Sequence, residues 1–171
     1  RPTEVQFDSV VLDEIRRTSP EIAAGYHRST LREGDLILSI VGTIGKVAVV
    51  PKVLEGGNIT QSSARLRIDP RVALPAFIKH ALKAPVVTAQ FDLATLGTAV
   101  QRLNLRDVRA IRVPVPSLAE QHRIVAAIET HFSRLDAAVA SLTRAKANVK
   151  RARASVLKAA VEGRLVSTEA A

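Results

Sequence analysis

The sequence predicts an α+β protein, a small mixed sheet with short helices followed by one long α-helix, on three observations. Two β-branched runs, Leu36–Val41 and Lys46–Val50, flank a glycine-bounded turn, and Ala64–Ile68 alternates apolar and cationic residues. Pro75 and Pro85 each stand where a first helical residue falls. From Ser117 to Glu162 neither proline nor glycine interrupts a seven-residue apolar repeat.

In chain order, residues 8–17 carry Val10, Val11 and Ile15 among charges and predict a short helix. Ser19-Pro20-Glu21 is a helix start that Gly25 cuts short. Arg32-Glu33-Gly34-Asp35 is a turn into the first strand, and Gly42-Thr43-Ile44-Gly45 is a four-residue hairpin loop. Gly56-Gly57-Asn58 makes another turn, after which Arg65 and Arg67 occupy the wet face of a half-buried strand. Helices are expected near 75–83 and 85–95, with Gly97 as a stop. Asn104 and Asp107 are placed to cap one short helical turn, and Ala110–Val113 returns to strand before Pro114 and Pro116. Ser117-Leu118-Ala119-Glu120 is a capping box opening the long helix.

That helix, about 43 residues, has a length of about 64 Å. Ile128, Leu135, Leu142, Val149 and Val156 form its seven-residue series, and His131, Ala138, Ala145, Ala152 and Ala159 follow three residues on. Branched residues at a and alanines at d describe a coiled-coil seam that admits a close, left-handed partner. No other segment of the sequence makes a helix of that length, so the partner is expected on another chain or on a part of the parent protein absent here.

Composition narrows the function. The 171 residues hold 25 Lys+Arg against 16 Asp+Glu, a net charge of +9, and no cysteine. Disulfides, thiolate zinc sites and cysteine nucleophiles are thereby excluded. Residues 1–40 hold five basic and seven acidic groups, whereas 41–171 hold twenty and nine, a concentrated positive field that suits a polyanion. Aromatic residues are only 3% of the chain, which among nucleic acids favours duplex DNA over the base-stacking platforms of single-strand modules. The longest uncharged run, Leu36–Gly45, is ten residues, far short of a membrane span. No signal-peptide pattern opens the chain, and a cytoplasmic protein is expected.

The chemical motifs fail in informative ways. Gly42 to Lys46 lacks the four-residue interval and the following hydroxyl of a phosphate-binding loop, since Val47 stands there. His27, His80, His122 and His131 are scattered and make no metal pair. No nucleophile elbow is present, and Val113-Pro114-Val115-Pro116 lacks the acid or amide that grips a flipped base. The pattern is that of a binding module without catalytic residues.

Several motifs in order carry a family likeness. Gly34-Asp35-Leu36-Ile37-Leu38-Ser39, Gly42 through Val50, and Asn58-Ile59-Thr60-Gln61 resemble the target-recognition domain of Type I restriction–modification specificity subunits. Gly97-Thr98 through Gln101-Arg102-Leu103-Asn104 is similar to the segment before that domain's last strand. Val113 to Gln121 resembles the entry into the family's spacer helix, and Ser155 to Leu165 the way it ends. The resemblance implies a DNA target-recognition domain over 1–116, incomplete at its N-terminal side, a spacer helix over 117–166 pairing in an antiparallel coiled coil, and a tail over 167–171. It also implies a non-catalytic subunit that places a methyltransferase, and through it an ATP-driven endonuclease, on a bipartite duplex sequence. Methyltransferase (M) subunits, the restriction (R) subunit indirectly, and a second specificity half or a second copy are the implied partners. S-adenosylmethionine, ATP and Mg2+ belong to those partners, and no cofactor is expected here.

Base readout is then expected on two loops. One carries Thr43, Lys46, Asn58, Thr60, Gln61 and Ser62; the other carries Thr98, Gln101, Arg102 and Asn104. Gln and Asn pair two-fold with adenine and Arg with guanine, while Lys46 suits a phosphate. Helix pairing is expected through Ile128, Leu135, Ala138, Leu142, Ala145, Val149, Ala152 and Val156. The rival readings are a coiled-coil scaffold whose head binds protein, and an enzyme without a recognisable motif.

Overall fold

The structure is a computed structural model and describes residues 5–6, 9–10, 12, 15–95 and 101–165. Strands β1 (Val5–Gln6) and β2 (Ser9–Val10) form a small antiparallel ladder with Val5 opposite Val10. Strands β3 (Leu36–Ser39), β4 (Val47–Val49) and β5 (Ser63–Leu66) form a second sheet in the order β4-β3-β5. The helices are α1 (Pro20–Ala24), α2 (Pro75–Ala81), α3 (Pro85–Thr95), α4 (Leu105–Ala110) and α5 (Leu118–Val161).

The central strand explains why its sequence is apolar without alternation. On one face Leu36, Leu38 and Ile40 pack with Val47 of β4, Phe77 of α2, Val87 and Phe91 of α3, and Leu103. On the other, Ile37, Ala48 and Val50 pack with Leu31, and Val10, Leu54 and Ile59 close over them. A strand covered on both faces reads as a near-continuous apolar run, broken in β3 only by Ser39, whose buried hydroxyl is hydrogen-bonded. Each large side chain so buried stabilises the fold by about 1.5–3 kcal/mol.

Several expectations change in the structure. The helix expected over 8–17 is replaced near its start by β2, because Val10 is drawn onto the second face of the sheet; residues 8, 11, 13 and 14 lie outside the described set. The sheet, expected to be mixed, is antiparallel in every described pairing. The hairpin leaves its ladder at Ser39, and Ile40 turns to other partners, so the loop is longer than four residues. Arg65 and Arg67 are engaged rather than free on a wet face: Arg65 donates to the Thr30 carbonyl, and Arg67 holds Asp35 with two bonds of 2.9 Å. No strand forms over Ala110–Val113. Instead the Gln90 amide imitates a strand neighbour, donating to the Arg112 carbonyl at 2.9 Å and accepting its N–H at 3.0 Å. The capping box at Ser117 is half made. Ser117 Oγ accepts from the Glu120 N–H at 3.4 Å, but the Glu120 carboxylate pairs with Arg123 at 2.9 Å. The helix stop expected at Gly97 lies outside the described residues.

The chain divides into two compact units, Arg1–Val125 and Ala126–Ala171. The first takes in the opening turns of α5, where Ile124 and Val125 pack on the core. There Gln121 is fully buried, its Oε1 accepting from the Leu74 N–H and its Nε2 donating to the Val72 and Pro116 carbonyls. In the second unit α5 runs on to Val161 and ends at Gly163, whose positive φ of 66° closes the last carbonyls with bonds from Gly163 and Arg164. Along this unit Leu135, Leu142 and Val149 are 58%, 69% and 68% exposed.

Candidate nucleic-acid interface

One end of β3 gathers three separate pieces of chain. The Ile40 N–H donates to the Ser62 carbonyl at 2.9 Å, and the Ile40 carbonyl accepts from Leu103 N–H at 2.8 Å. One residue further, Val41 bridges Arg102, and the Gly42 N–H reaches the Gln101 carbonyl at 3.0 Å. The hairpin tip, the turn before β5 and the segment leading to α4 therefore share a single rim.

Backbone chemistry shapes the tip. Gly42 and Gly45 both hold positive φ, 76° and 86°, which a side chain would strain. Ser39, at the end of β3 and fully buried, accepts the Lys46 N–H on its Oγ at 3.0 Å and donates to the Thr43 carbonyl. This hydroxyl fixes the loop from below and leaves Thr43 exposed and Lys46 half-buried above it. Thr60 and Ser62 share a hydroxyl–hydroxyl bond of 2.9 Å, and Gln61 stands exposed between them. Gln101 and Arg102 are exposed on the third piece.

Of the expected readout residues, Thr43, Lys46, Thr60, Gln61, Ser62, Gln101 and Arg102 are thus brought to one rim. Asn58 is turned elsewhere, its amide donating to the Tyr26 carbonyl at 2.9 Å and to Ser29 Oγ at 3.1 Å. Asn104 caps α4 reciprocally with Asp107, whose carboxylate accepts the Asn104 N–H at 3.2 Å. Thr98 lies outside the described residues.

Behind the tip lies a cavity of about 180 Å³ that the sequence did not announce, lined among others by Ile44, Gly45, Lys83, Phe91, Asp92 and Gln101. Burial pushes the Lys83 ammonium below its ordinary pKa. Its only sequence signal is a lysine in the turn after α2 and an acid nine residues on in α3, which no short-range pattern connects. Among the described residues no cluster of His, Asp or Glu is placed to hold a metal ion, and no helix is long and apolar enough to cross a membrane.

A small α+β head with a polar, cationic rim, joined to a helix carrying an uncovered apolar seam, has the make-up of a recognition and assembly module. The family model for the Type I restriction modification DNA specificity domain matches residues 14–145, and the chain belongs to that family. It is 31% identical over 167 residues to the Type I restriction enzyme EcoBI specificity subunit of Escherichia coli, covering 98% of this chain and 35% of that protein. The crystal structure of the HsdS subunit from Thermoanaerobacter tengcongensis superposes with a TM-score of 0.63 at 24% identity, over 85% of this chain and 37% of that one. A chain from a structure of complex assembly and conformational transition of the type I R-M system gives a TM-score of 0.56 at 23% identity, over 83% of this chain and 36% of that one. These two likenesses show the fold. The chain spans about a third of the length of the relatives it matches.

Proposed function

We propose that this chain reads one half of a bipartite duplex-DNA target as part of a non-catalytic Type I specificity subunit. In that reading it directs methyltransferase subunits, and through them a restriction subunit, to the site. The observation that carries it is the shared rim, where Gln61, Gln101 and Arg102 offer base-pairing side chains and Lys46 a phosphate contact. The head is the reading domain over 1–116, α5 the spacer over 117–166, and 167–171 a tail. The seam from Ile128 to Val156 pairs antiparallel with a second specificity half or a second copy. The methyl donor, ATP and Mg2+ act on the partner subunits, and the assembly works in the cytoplasm.

The test begins with selection of a preferred duplex from a random pool, followed by competition against scrambled duplex. Gln101→Ala should cost about 1–3 kcal/mol on the selected duplex and little on the scrambled one. Lys46→Ala should weaken both alike and flatten the salt dependence by about one. Equal losses on both duplexes for Gln101→Ala would remove it from the reading set.

A further inference from the structure

The second unit carries a feature that pairing of its seam does not use. Between Asp136 and Glu162 the chain has six cations and no acid: Arg144, Lys146, Lys150, Arg151, Arg153 and Lys158. All six are exposed on α5. Lys146 and Arg153 fall at e positions flanking the seam, but Arg144, Arg151 and Lys158 fall at c, and Lys150 at b, on the side away from it.

Helix physics alone does not favour this arrangement. Lys146 and Lys150 stand four residues apart, and Lys150 and Arg153 three, so like charges repel along the helix by about 0.2–0.5 kcal/mol per pair. The helix dipole rewards cations only in the last turn, which explains Lys158 and none of the others. Lys158 also reaches Glu162 at 3.9 Å, and Arg151 donates to the Asn148 side chain at 2.6 Å. Charge held against its own repulsion indicates a polyanionic neighbour.

The remaining residues on that side choose between a protein and a nucleic acid. From Thr143 to Ala154 the outward positions are Thr143, Arg144, Ala147, Lys150, Arg151 and Ala154, with no aromatic or large aliphatic side chain. Protein interfaces rely on such anchors, whereas small residues between cations let a sugar–phosphate backbone come close.

We propose that the outward face of α5 from Thr143 to Ala154 is a sequence-independent contact to the phosphate backbone of duplex DNA. It rests on the DNA-binding reading of the head and assigns the spacer a binding role of its own: holding base pairs that must be occupied but not read.

The test uses the full chain with Arg144, Lys150 and Arg151 all replaced by glutamine, a good helix former, against the selected and scrambled duplexes over a salt series. The expected result is a slope of log affinity on log salt flatter by about 0.9 for each contact removed, with the ratio between the two duplexes unchanged. Arg144→Lys with Arg151→Lys, which keeps the charges, should keep the slope. An unchanged slope in the glutamine variant, with the unaltered chain binding DNA in a salt-dependent way, overturns the proposal and leaves the head's reading intact. Loss of methyltransferase-subunit binding alone, with that slope unchanged, also overturns it and assigns the face to a protein. Absence of any salt-dependent duplex binding by the unaltered chain overturns both readings.

Discussion

Asp35 is the most consequential single carboxylate in the head. It is 3% exposed, takes two bonds from Arg67 and accepts the Arg32 N–H at 2.9 Å. Burial acts to raise its pKa, but the bonds from Arg67 and Arg32 outweigh that and hold the carboxyl below its ordinary value. The folded pKa therefore lies under the unfolded one of about 3.9, so the stabilisation is complete above that pH and lost as pH falls through the folded value. Asp35→Asn should cost about 1–3 kcal/mol at pH 7, and the difference should shrink in acid below about pH 4. Urea midpoints of both proteins at pH 7 and pH 3 check this; a constant difference would show that the charge is not what stabilises. The sequence placed Asp35 in a turn and Arg67 in water. Their pairing joins residues 32 apart, a separation that no local pattern spans.

At the scale of elements, the hairpin and helices were legible because prolines, glycines and apolar period act over a few residues. What supports the rim was not. Ser39 reads as one polar residue inside an apolar run, yet its hydroxyl sets the tip. Ser39→Ala should leave the Lys46 N–H without that partner, at a cost of about 1–3 kcal/mol, and should lower affinity for the selected duplex more than for the scrambled one. Chemical denaturation and competition binding together measure it; loss of stability with an unchanged duplex preference would separate the tip from reading. Asn58 and Asn104 have residue types suited to base contact, but the turn at Tyr26 and the start of α4 claim them. Gln90 does the converse, replacing an expected strand by clasping Arg112 across 22 residues. The length of α5 was legible, since the absence of proline and glycine over 118–161 is a local signal, and the pairing of its apolar series is the proposal. Leu142→Glu would set a carboxylate in the middle of a paired seam at a cost of several kcal/mol. Sedimentation should show the unaltered chain associating at micromolar concentration and this variant monomeric; monomers in both would assign the seam to the other specificity half alone.

Across the whole molecule, the excess of cations in residues 41–171 is divided between tasks: some order the head, as Arg65 and Arg67 do, and others stand exposed along α5. Composition therefore gives the excess of cations in sum without telling which of them the fold leaves available. The opening of α5 depends on Gln121, whose amide meets three backbone groups in a fully buried position. Gln121→Leu should strand those groups and destabilise the head by about 3 kcal/mol, given 1–3 for each unsatisfied group and partial relaxation. Calorimetry checks it, and an unchanged melting temperature would mean that water replaces the amide. The partners of that glutamine, at Val72, Leu74 and Pro116, are all main chain, and main chain is the same whatever side chains it bears. The joint is therefore indifferent to the lettering of the loops it grips. Changes of side chain at those three positions leave in place what Gln121 binds, provided that residue 74 keeps its N–H.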